Sequence, residues 1–510
     1  MIRTAKTENG WVRGIEAADP RITAFKGIPF AAPPVGENRW RAPQPCENWE
    51  GVRDAYRFAP ISVQDTPGLG TDIYCREWHV DPDIDMGEDC LYLNVWTSAK
   101  SADEKQPVLV WFYGGGLQWG YPAEMEFDGE RLARRGVVVV TVNYRINVFG
   151  FLSHPQISKE QPDAPANFGS LDQQAGIKWV IRNIAAFGGD PENITIAGQS
   201  AGGGSVLSQM ACPDNKGLFQ KAVIMSAMIR NPYMKAFIGI PKPLDEAEKL
   251  GQDFFEFLGV STLEEARALD AFYIRDKYAK FAETYPRMAN AIDGKFCVGD
   301  PMVLLKEGKC ADVTVMSGNT EDEFPNFFTA ENEADLKEKA VEFFGDRAEE
   351  FLKFPEVYAQ ESEGRYGVVN GIECTIKGIF DGLTKSGSKQ NYYYYKFKPE
   401  IPGWDNPGTF HSVDLWFFFE TLAKCWRPFV GKHYDLARQM CNYWANFIKT
   451  GDPNGQDADG SDMPKWLPYT DAQPAEMLFE TEGAVCAVKE ASAYETFITD
   501  TLMRSLEEQN

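Results

Sequence analysis

NITIAGQSAG, residues 193–202, carries the strongest structural and chemical signal in this 510-residue chain. Its first half is a β-branched run that predicts a buried strand, and the small residues of 201–211 after it can begin a helix. Gly198 and Gly202 allow a sharp turn between the two elements, so that the hydroxyl of Ser200 projects above the sheet edge. The pentapeptide alone is common in turns, but this strand-turn-helix context makes Ser200 a candidate nucleophile.

A nucleophilic serine needs a base, and the chain has only four histidines. When the serine lies on a strand-to-helix turn, the acid and then the histidine follow it along the chain, which leaves His411 and His433. His411 ends a turn-forming stretch, 406–411, just before an apolar run, whereas His433 stands where the amphipathic segment 434–450 begins. We therefore expect His411 to be the base and His433 to be solvent-exposed near a helix start.

The third member of such a site is a carboxylate between Ser200 and the histidine. Residues 312–318 have the pattern of a buried strand that ends in glycine, and the next loop holds Glu321, Asp322 and Glu323. Acidic clusters usually lie on solvated surfaces, but this one follows a core strand and precedes His411. The spacing of the sequence alone does not separate the three carboxylates.

A glycine run provides candidate donors for the oxyanion of an acyl-transfer reaction. The apolar strand 108–112 is followed by Tyr113 and then by the three glycines 114–116. Such a backbone can turn its N–H groups toward one point, where a tetrahedral intermediate develops negative charge. The N–H of Ala201, next to the serine, would complete this site.

Several ordered motifs give the chain a resemblance to the type B carboxylesterases, a group that includes para-nitrobenzyl esterases, fungal lipases and cholinesterases. The resemblance runs from about residue 10 to the last fifty residues. Besides the serine motif, it rests on FKGIPFAAPP at 25–34, EDCLYLNV at 88–95, NYR at 143–145, FGGDP at 187–191 and IDG at 292–294.

Alternating strand and helix patterns predict an α/β protein with a mostly parallel twisted sheet and helices on both faces. The predicted strands are 108–113, 137–143, 193–198, 221–226, 312–317 and 391–397, with helices such as 171–186, 244–257, 262–271 and 434–450. The resemblance implies one α/β-hydrolase domain over residues 1–510, although the length alone suggests several domains. Residues 230–300 are expected to form part of a cover over the site.

The resemblance also implies individual site residues. The family's loop has the form Gly-x-x-x-Asp-Glu, so Gly318 to Glu323 fits with Glu323 as the acid, and His411 fits the catalytic histidine. The three oxyanion donors correspond to the backbone N–H groups of Gly115, Gly116 and Ala201. Ser226 falls where a family serine hydrogen-bonds near the acid.

Three positions depart from the family pattern. Gln199 replaces the glutamate that usually precedes the nucleophile, which removes a negative charge beside the imidazole. Ala227 stands where glycine usually follows Ser226, and Tyr113 replaces the commoner histidine before the glycine run. None of them removes a group that performs the chemistry, but Gln199 can alter the rate or its pH dependence.

The composition limits which binding partners and which cellular compartment are expected for this protein. The formal net charge of −24 argues against nucleic acid as a partner and disfavours anionic substrates. No apolar run approaches the ~20 residues of a membrane span, and the N-terminal residues lack a signal pattern, so a cytoplasmic location is expected. The ten cysteines show no metal-ligand spacing, and we expect buried free thiols, no metal and no organic cofactor.

The predicted function is that of a serine carboxylesterase that cleaves small-molecule esters through an acyl-enzyme, as a monomer or small homo-oligomer. The alternatives are a dedicated lipase, a feruloyl or acetyl-sugar esterase, and, from another class, a cholinesterase-like interaction module without catalysis. This chain keeps both the serine and the histidine that such modules lose. Trp78, Trp119 and Trp404 are candidates for lining an acyl or alcohol pocket.

Overall fold

The computed structural model describes residues 1–234 and 240–507, and an 11-stranded sheet runs through this part of the chain. Its middle strands are parallel and lie in the spatial order Ala475–Glu480, Tyr392–Phe397, Thr314–Thr320, Lys221–Met225, Gly189–Gln199, Gln106–Phe112 and Val138–Val142. Antiparallel strands complete both edges: Gly483–Val488 on one side, and Tyr92–Thr97, Thr23–Pro29 and Ile15–Glu16 on the other. All six predicted strands belong to the parallel part.

Smaller sheets lie outside this core. In the described residues, one has three strands, and two are single pairs. They consist of Thr4–Lys6, Trp11–Arg13 and Val52–Asp54; of Lys242–Pro243 with Ala291–Ile292; and of Asn326–Thr329 with Arg365–Val369.

Helices occupy most connections between the strands. The longer ones are Phe168–Asn183, Ala201–Ala211, Leu244–Leu258, Ala271–Phe281, Glu333–Phe344, Gly371–Lys385, Gly431–Thr450 and Ala493–Glu507. The shorter α-helices are Tyr74–Glu77, Glu130–Arg134, Asn147–Phe151, Pro155–Glu160, Leu263–Ala268, Pro301–Lys306, Ala348–Phe351 and Leu415–Phe418. No helix in the described ranges is both long enough and apolar enough to cross a bilayer.

Helices cover both faces of the sheet, as the strand Val138–Val142 illustrates. Side chains alternate along a strand, so Val139 and Val142 point to opposite faces. Val139 lies against Gly129 at the start of the helix Glu130–Arg134, and Val142 lies against Gly176 within Phe168–Asn183. All five residues of this strand are buried, as expected for a parallel strand covered on both sides.

The register of the parallel strands brings their carboxyl ends together. Phe112 is paired with Gly198, Gln199 with Met225, and Met225 with Gly318. In open α/β sheets the loops beyond these ends form the crevice in which ligands bind. The serine turn, the glycine run and the acidic loop all begin at this edge.

The segment expected to cover the site, 230–300, leaves the main sheet and is closed at its base, although its residues 235–239 lie outside the described residues. Its ends meet where Lys242–Pro243 is paired with Ala291–Ile292. The helix expected at 262–271 is present but shorter, Leu263–Ala268, and a second helix, Ala271–Phe281, follows it. Asp270 separates them because its side chain accepts the Tyr273 N–H and so caps the second helix.

All ten cysteines fall within the described residues, and none is paired with another. Six are buried, as expected, whereas Cys46, Cys75, Cys425 and Cys486 are only partly buried.

Candidate active site

Ser200 lies on a sharp turn between the strand Gly189–Gln199 and the helix Ala201–Ala211. Its backbone has φ 55° and ψ −126°, an unfavourable conformation for a residue with a side chain, and its N–H donates to the Met225 carbonyl at 2.8 Å. A Cβ at Gly202 would lie 2.1 Å from the Phe112 carbonyl oxygen, and one at Gly198 would lie 2.3 Å from the Gly202 backbone. The flanking glycines are therefore required for this turn to pack against the neighbouring strand.

His411 and Glu323 form a hydrogen-bonded pair at the carboxyl edge of the sheet. Nδ1 of His411 lies 2.5 Å from Oε2 of Glu323, and both residues are only 5% exposed. The other carboxylate oxygen of Glu323 accepts the N–H of Thr320 at 3.0 Å, which fixes the orientation of the carboxylate. A buried carboxylate on Nδ1 is the arrangement that orients a histidine for proton transfer at Nε2.

The three neighbouring carboxylates, which the sequence alone left unresolved, have different contacts. Glu321 forms an ion pair with Lys396 at 2.7 Å. Asp322 accepts hydrogen bonds from the backbone N–H and the hydroxyl of Thr409, at 2.8 and 3.0 Å, and so ties the acidic loop to the loop that carries the histidine. Of the three, Glu323 is the one that contacts His411.

The structure places the Gln199 side chain against the other nitrogen of His411. The Gln199 amide nitrogen lies 3.2 Å from Nε2 of the imidazole, and Ser200 is the next residue along the chain. With the amide in this orientation its NH₂ group donates, which corresponds to the tautomer in which Nε2 accepts and the imidazole proton is on Nδ1, facing Glu323. This is the tautomer of a general base, but Gln199 rather than the Ser200 hydroxyl occupies its lone pair. Catalytic hydrogen bonds often form fully only with substrate bound.

The glycine run turns beside Ser200. Gly115 and Gly116 have φ values of 101° and 65°, in the region that favours glycine, and a Cβ built on Gly114 would lie 3.2 Å from Cβ of Ser200. The Gly115 carbonyl is used by the N–H groups of Gln118 and Trp119, each at 3.0 Å. Within the described chain, no hydrogen bond is formed by the Gly115 or Gly116 N–H, which leaves both available to a ligand.

Two buried side chains lie near the acid, and for one of them, Ser226, there was an expectation from the sequence. Ser226 lies at the end of its strand, and its backbone N–H donates to Gly318, but its hydroxyl is buried with no hydrogen-bond partner among the described residues. The structure therefore does not link Ser226 to Glu323 through that hydroxyl. Asp414 accepts a hydrogen bond from Tyr395 at 2.8 Å. Burial, reinforced by the charge of Glu323, raises the pKa of Asp414 to about 7.

His433 is not exposed, as its position near a helix start had suggested. It is 3% exposed, its Nδ1 accepts the Val430 N–H at 3.1 Å, and its Nε2 lies 3.1 Å from the Glu400 carbonyl oxygen. Both ring nitrogens therefore serve to cap the helix Gly431–Thr450 and to hold a neighbouring loop. The expectation of exposure was wrong because an imidazole can replace the usual capping side chains.

Two aromatic residues lie at the site: Trp119, which was named from the sequence as a candidate for lining a pocket, and Phe324, which was not singled out there. Phe324 is half exposed, and its ring centroid lies 4.4 Å from that of His411. The Trp119 ring lies beside Gly116, with ring carbon Cζ3 4.0 Å from where a Cβ of that glycine would be. Phe324 directly follows the acid in the sequence, and this adjacency was the available signal. Trp78 is buried, and Trp404 is 79% exposed.

The described residues contain no group of three or more histidine, cysteine, aspartate or glutamate side chains arranged to hold a metal ion. The chemistry at this edge of the sheet is that of a hydroxyl, an imidazole, a carboxylate and free backbone N–H groups.

Comparisons with known proteins give one consistent family. The family model described as the Carboxylesterase family matches residues 2–365 and 371–496. The para-nitrobenzyl esterase of Bacillus subtilis strain 168 is 30% identical over 500 residues, which cover 93% of this chain and 94% of that protein. The cholinesterase of Mus musculus is 29% identical over 520 residues, which cover 93% of this chain and 83% of that protein.

Solved structures extend the likeness to the fold. A crystal structure of a Geobacillus stearothermophilus carboxylesterase at pH 6.8 aligns with a TM-score of 0.76 and 27% identity, covering 98% of this chain and all of that one. A para-nitrobenzyl esterase structure aligns with a TM-score of 0.74 and 27% identity, again over 98% of this chain. These alignments, with the parallel sheet and its surrounding helices, confirm the predicted α/β-hydrolase fold.

Proposed function

This chain belongs to the carboxylesterase family, type B, and is a carboxylic ester hydrolase, and we propose that Ser200, His411 and Glu323 catalyse its reaction through an acyl-enzyme. Ser200 Oγ attacks the ester carbonyl while Nε2 of His411 takes the hydroxyl proton. The Gln199 amide leaves Nε2 at this point. Glu323 keeps the imidazole in the required tautomer and stabilises its positive charge once it is protonated.

The oxyanion of the tetrahedral intermediate accepts hydrogen bonds from the N–H groups of Gly115, Gly116 and Ala201. His411 then gives its proton to the departing alkoxide, which leaves as the alcohol. Water enters, His411 removes a proton from it, and hydrolysis of the acyl-enzyme regenerates the Ser200 hydroxyl and releases the acid.

One observation supports this assignment more than any other. A single imidazole has the buried Glu323 carboxylate 2.5 Å from one nitrogen and the residue preceding Ser200 3.2 Å from the other. The strained turn aims Ser200 toward the same edge, and the unused N–H groups of Gly115 and Gly116 lie beside it. This combination fits acyl transfer by a serine nucleophile.

Covalent trapping tests the nucleophile directly. Diethyl 4-nitrophenyl phosphate should place a diethylphosphoryl group on Ser200, seen by peptide mass spectrometry, and abolish 4-nitrophenyl acetate hydrolysis. Ser200→Ala should show neither reaction nor activity. Ser208→Ala is the matched control, because Ser208 lies on the same helix with its hydroxyl bonded to the Gly204 carbonyl. A phosphorylated Ser200→Ala protein would contradict the proposal.

The covering segment, the cellular location, the oligomeric state and the substrate range are also proposals. We propose that residues 230–300 belong to the cover over the site, within one domain of residues 1–510, and that the enzyme acts in the cytoplasm as a monomer or small homo-oligomer. The pairing of Lys242–Pro243 with Ala291–Ile292 supports the assignment of this segment to the cover. Rates with esters of increasing acyl length and with hydroxycinnamate esters would separate a general carboxylesterase from a lipase or a feruloyl esterase.

A further inference from the structure

Arg287 is a cation beside the proposed oxyanion site. Its guanidinium carbon lies 4.4 Å from the centroid of the Trp119 ring, over its face. The side chain is exposed, and no carboxylate of the described residues forms an ion pair with it. In a chain with 75 acidic and 51 basic residues, an arginine without a carboxylate at such a position calls for an explanation.

The Trp119 ring is fixed next to the glycine run. Its Nε1 donates to the Asp65 carboxylate at 3.0 Å, and its backbone N–H donates to the Gly115 carbonyl at 3.0 Å. The ring carbon Cζ3 lies 4.0 Å from where a Cβ of Gly116 would be. An ester carbonyl held by the Gly116 N–H would therefore have the indole, and the guanidinium above it, within the length of a short acyl chain.

The backbone that carries Arg287 is fastened to the same loop. The next residue, Met288, receives a hydrogen bond on its carbonyl from the Gln118 amide at 3.0 Å, and its N–H donates to the Tyr278 hydroxyl at 2.8 Å. That hydroxyl in turn donates to Gln118 at 3.0 Å. Gln118 precedes Trp119, so Arg287 and the indole are held together from both sides.

From this placement we infer that Arg287 binds a carboxylate at the far end of the substrate, so that the enzyme prefers monoesters of dicarboxylic acids. The inference rests on the proposed function of Ser200. Arginine presents a planar set of donors that matches a carboxylate, and stacking on an indole leaves those donors free at the edge of the guanidinium. Two sources of negative charge oppose an anionic substrate, the Asp65 carboxylate and the net charge of the chain. Asp65 accepts a hydrogen bond from Nε1, at the edge of the indole, and the net charge of −24 acts from farther away, where salt screens it.

A matched pair of substrates isolates this contact. Monoethyl adipate and ethyl hexanoate have acyl chains of equal length and differ only in a terminal carboxylate or methyl group; monoethyl suberate and ethyl octanoate repeat the comparison at greater length. The measured quantity is the ratio of kcat/KM for the anionic ester to that for the neutral one. Arg287→Gln should lower this ratio about tenfold, as expected for the loss of one charge-assisted hydrogen bond, while leaving the rate with the neutral ester nearly unchanged.

Two further variants separate charge from packing. Arg287→Lys keeps the charge and should retain most of the preference. Arg275→Gln is the control, because Arg275 also lies over an aromatic ring, that of Phe272, but is paired with Asp276 at 2.7 Å; its ratio should match that of the wild type.

Equal changes with both esters in Arg287→Gln, or an Arg287→Lys ratio as low as that of Arg287→Gln, would overturn the inference. So would an unchanged ratio at both chain lengths. Failure of the proposed function gives a different result, because Ser200→Ala would then still hydrolyse ethyl hexanoate.

Discussion

Asp414 is a carboxyl group, three residues after His411, that the protein encloses completely. One oxygen accepts the Tyr395 hydroxyl, and the other has no hydrogen-bond partner among the described residues. Burial, with the nearby charge of Glu323, raises its pKa to about 7 from an ordinary value of 3.8. The folded protein therefore holds a proton here over a pH range in which the unfolded chain has lost it.

Replacing this residue should change how stability depends on pH. Between about pH 4 and pH 7, unfolding of the wild type releases the Asp414 proton, so the free energy of unfolding falls as the pH rises and levels off above the folded pKa. Asp414→Asn cannot ionise and lacks this fall. Its free energy of unfolding relative to the wild type should rise between pH 4 and pH 7, by at most on the order of 4 kcal/mol.

Urea unfolding at several pH values measures this difference. Asp163→Asn, at a side chain that is 96% exposed, should show no such trend and serves as the control. A difference between Asp414→Asn and the wild type that stays flat from pH 4 to pH 7 would contradict the account.

At the residue scale, the sequence predicted which residues take part in the chemistry better than it predicted the contacts between their side chains. Ser200 and His411 could be chosen because one lies on a strand-to-helix turn and few histidines compete. The acid required the family resemblance, since three adjacent carboxylates have nearly the same spacing. The amide of Gln199 on Nε2 could not be foreseen, because it depends on a side-chain conformation that no sequence pattern encodes.

At the scale of elements, the helix that follows Ser200 contains three consecutive glycines with different surroundings. A Cβ at Gly202 would lie 2.1 Å from the Phe112 carbonyl oxygen, whereas one at Gly204 would meet nothing within 4 Å. Backbone atoms cannot move aside as a flexible side chain can. The two positions therefore give opposite predictions for the same substitution.

Gly202→Ala should lower the free energy of unfolding by about 2–3 kcal/mol, because the helix must separate from the strand Gln106–Phe112. Gly204→Ala should raise it by about 0.5–1 kcal/mol, because alanine loses less backbone entropy in a helix. Thermal unfolding of both variants measures the contrast. Equal stabilities would mean that the helix does not pack on this strand as closely as described.

The bounds of the helices and strands depend on local interactions, and only some of these could be recognised in the sequence. The helix Ala201–Ala211 lies where the run of small residues predicted that a helix begins, and the strand predictions were close because β-branched runs mark buried parallel strands. The helix expected at 262–271 ends early, at Ala268, and the helix Ala271–Phe281 was not predicted, because the capping role of Asp270 was not recognised. The first turn of Gly431–Thr450 was missed for a similar reason, since the cap there is a histidine.

At the scale of the whole molecule, the order of the parallel strands assembles the site from distant parts of the chain. The glycine run, the serine turn and the acidic loop follow neighbouring strands, Gln106–Phe112, Gly189–Gln199 and Thr314–Thr320, with Lys221–Met225 between the last two. Alternating strand and helix patterns predicted such a sheet, but they did not give the strand order. That order is read from the structure alone. The cytoplasmic location and the oligomeric state stay predictions.

The central claim is that Ser200 and His411 act as one catalytic unit, and the non-additivity of their variants tests it most directly. When two groups act only as a pair, removing either one removes the contribution of both. The kcat/KM for 4-nitrophenyl acetate should therefore fall by at least ~10⁴-fold in Ser200→Ala and in His411→Ala alike. The double variant should be no slower than the worse single one. Losses that multiply in the double variant, or a His411→Ala enzyme that keeps a tenth of the wild-type rate, would contradict the account.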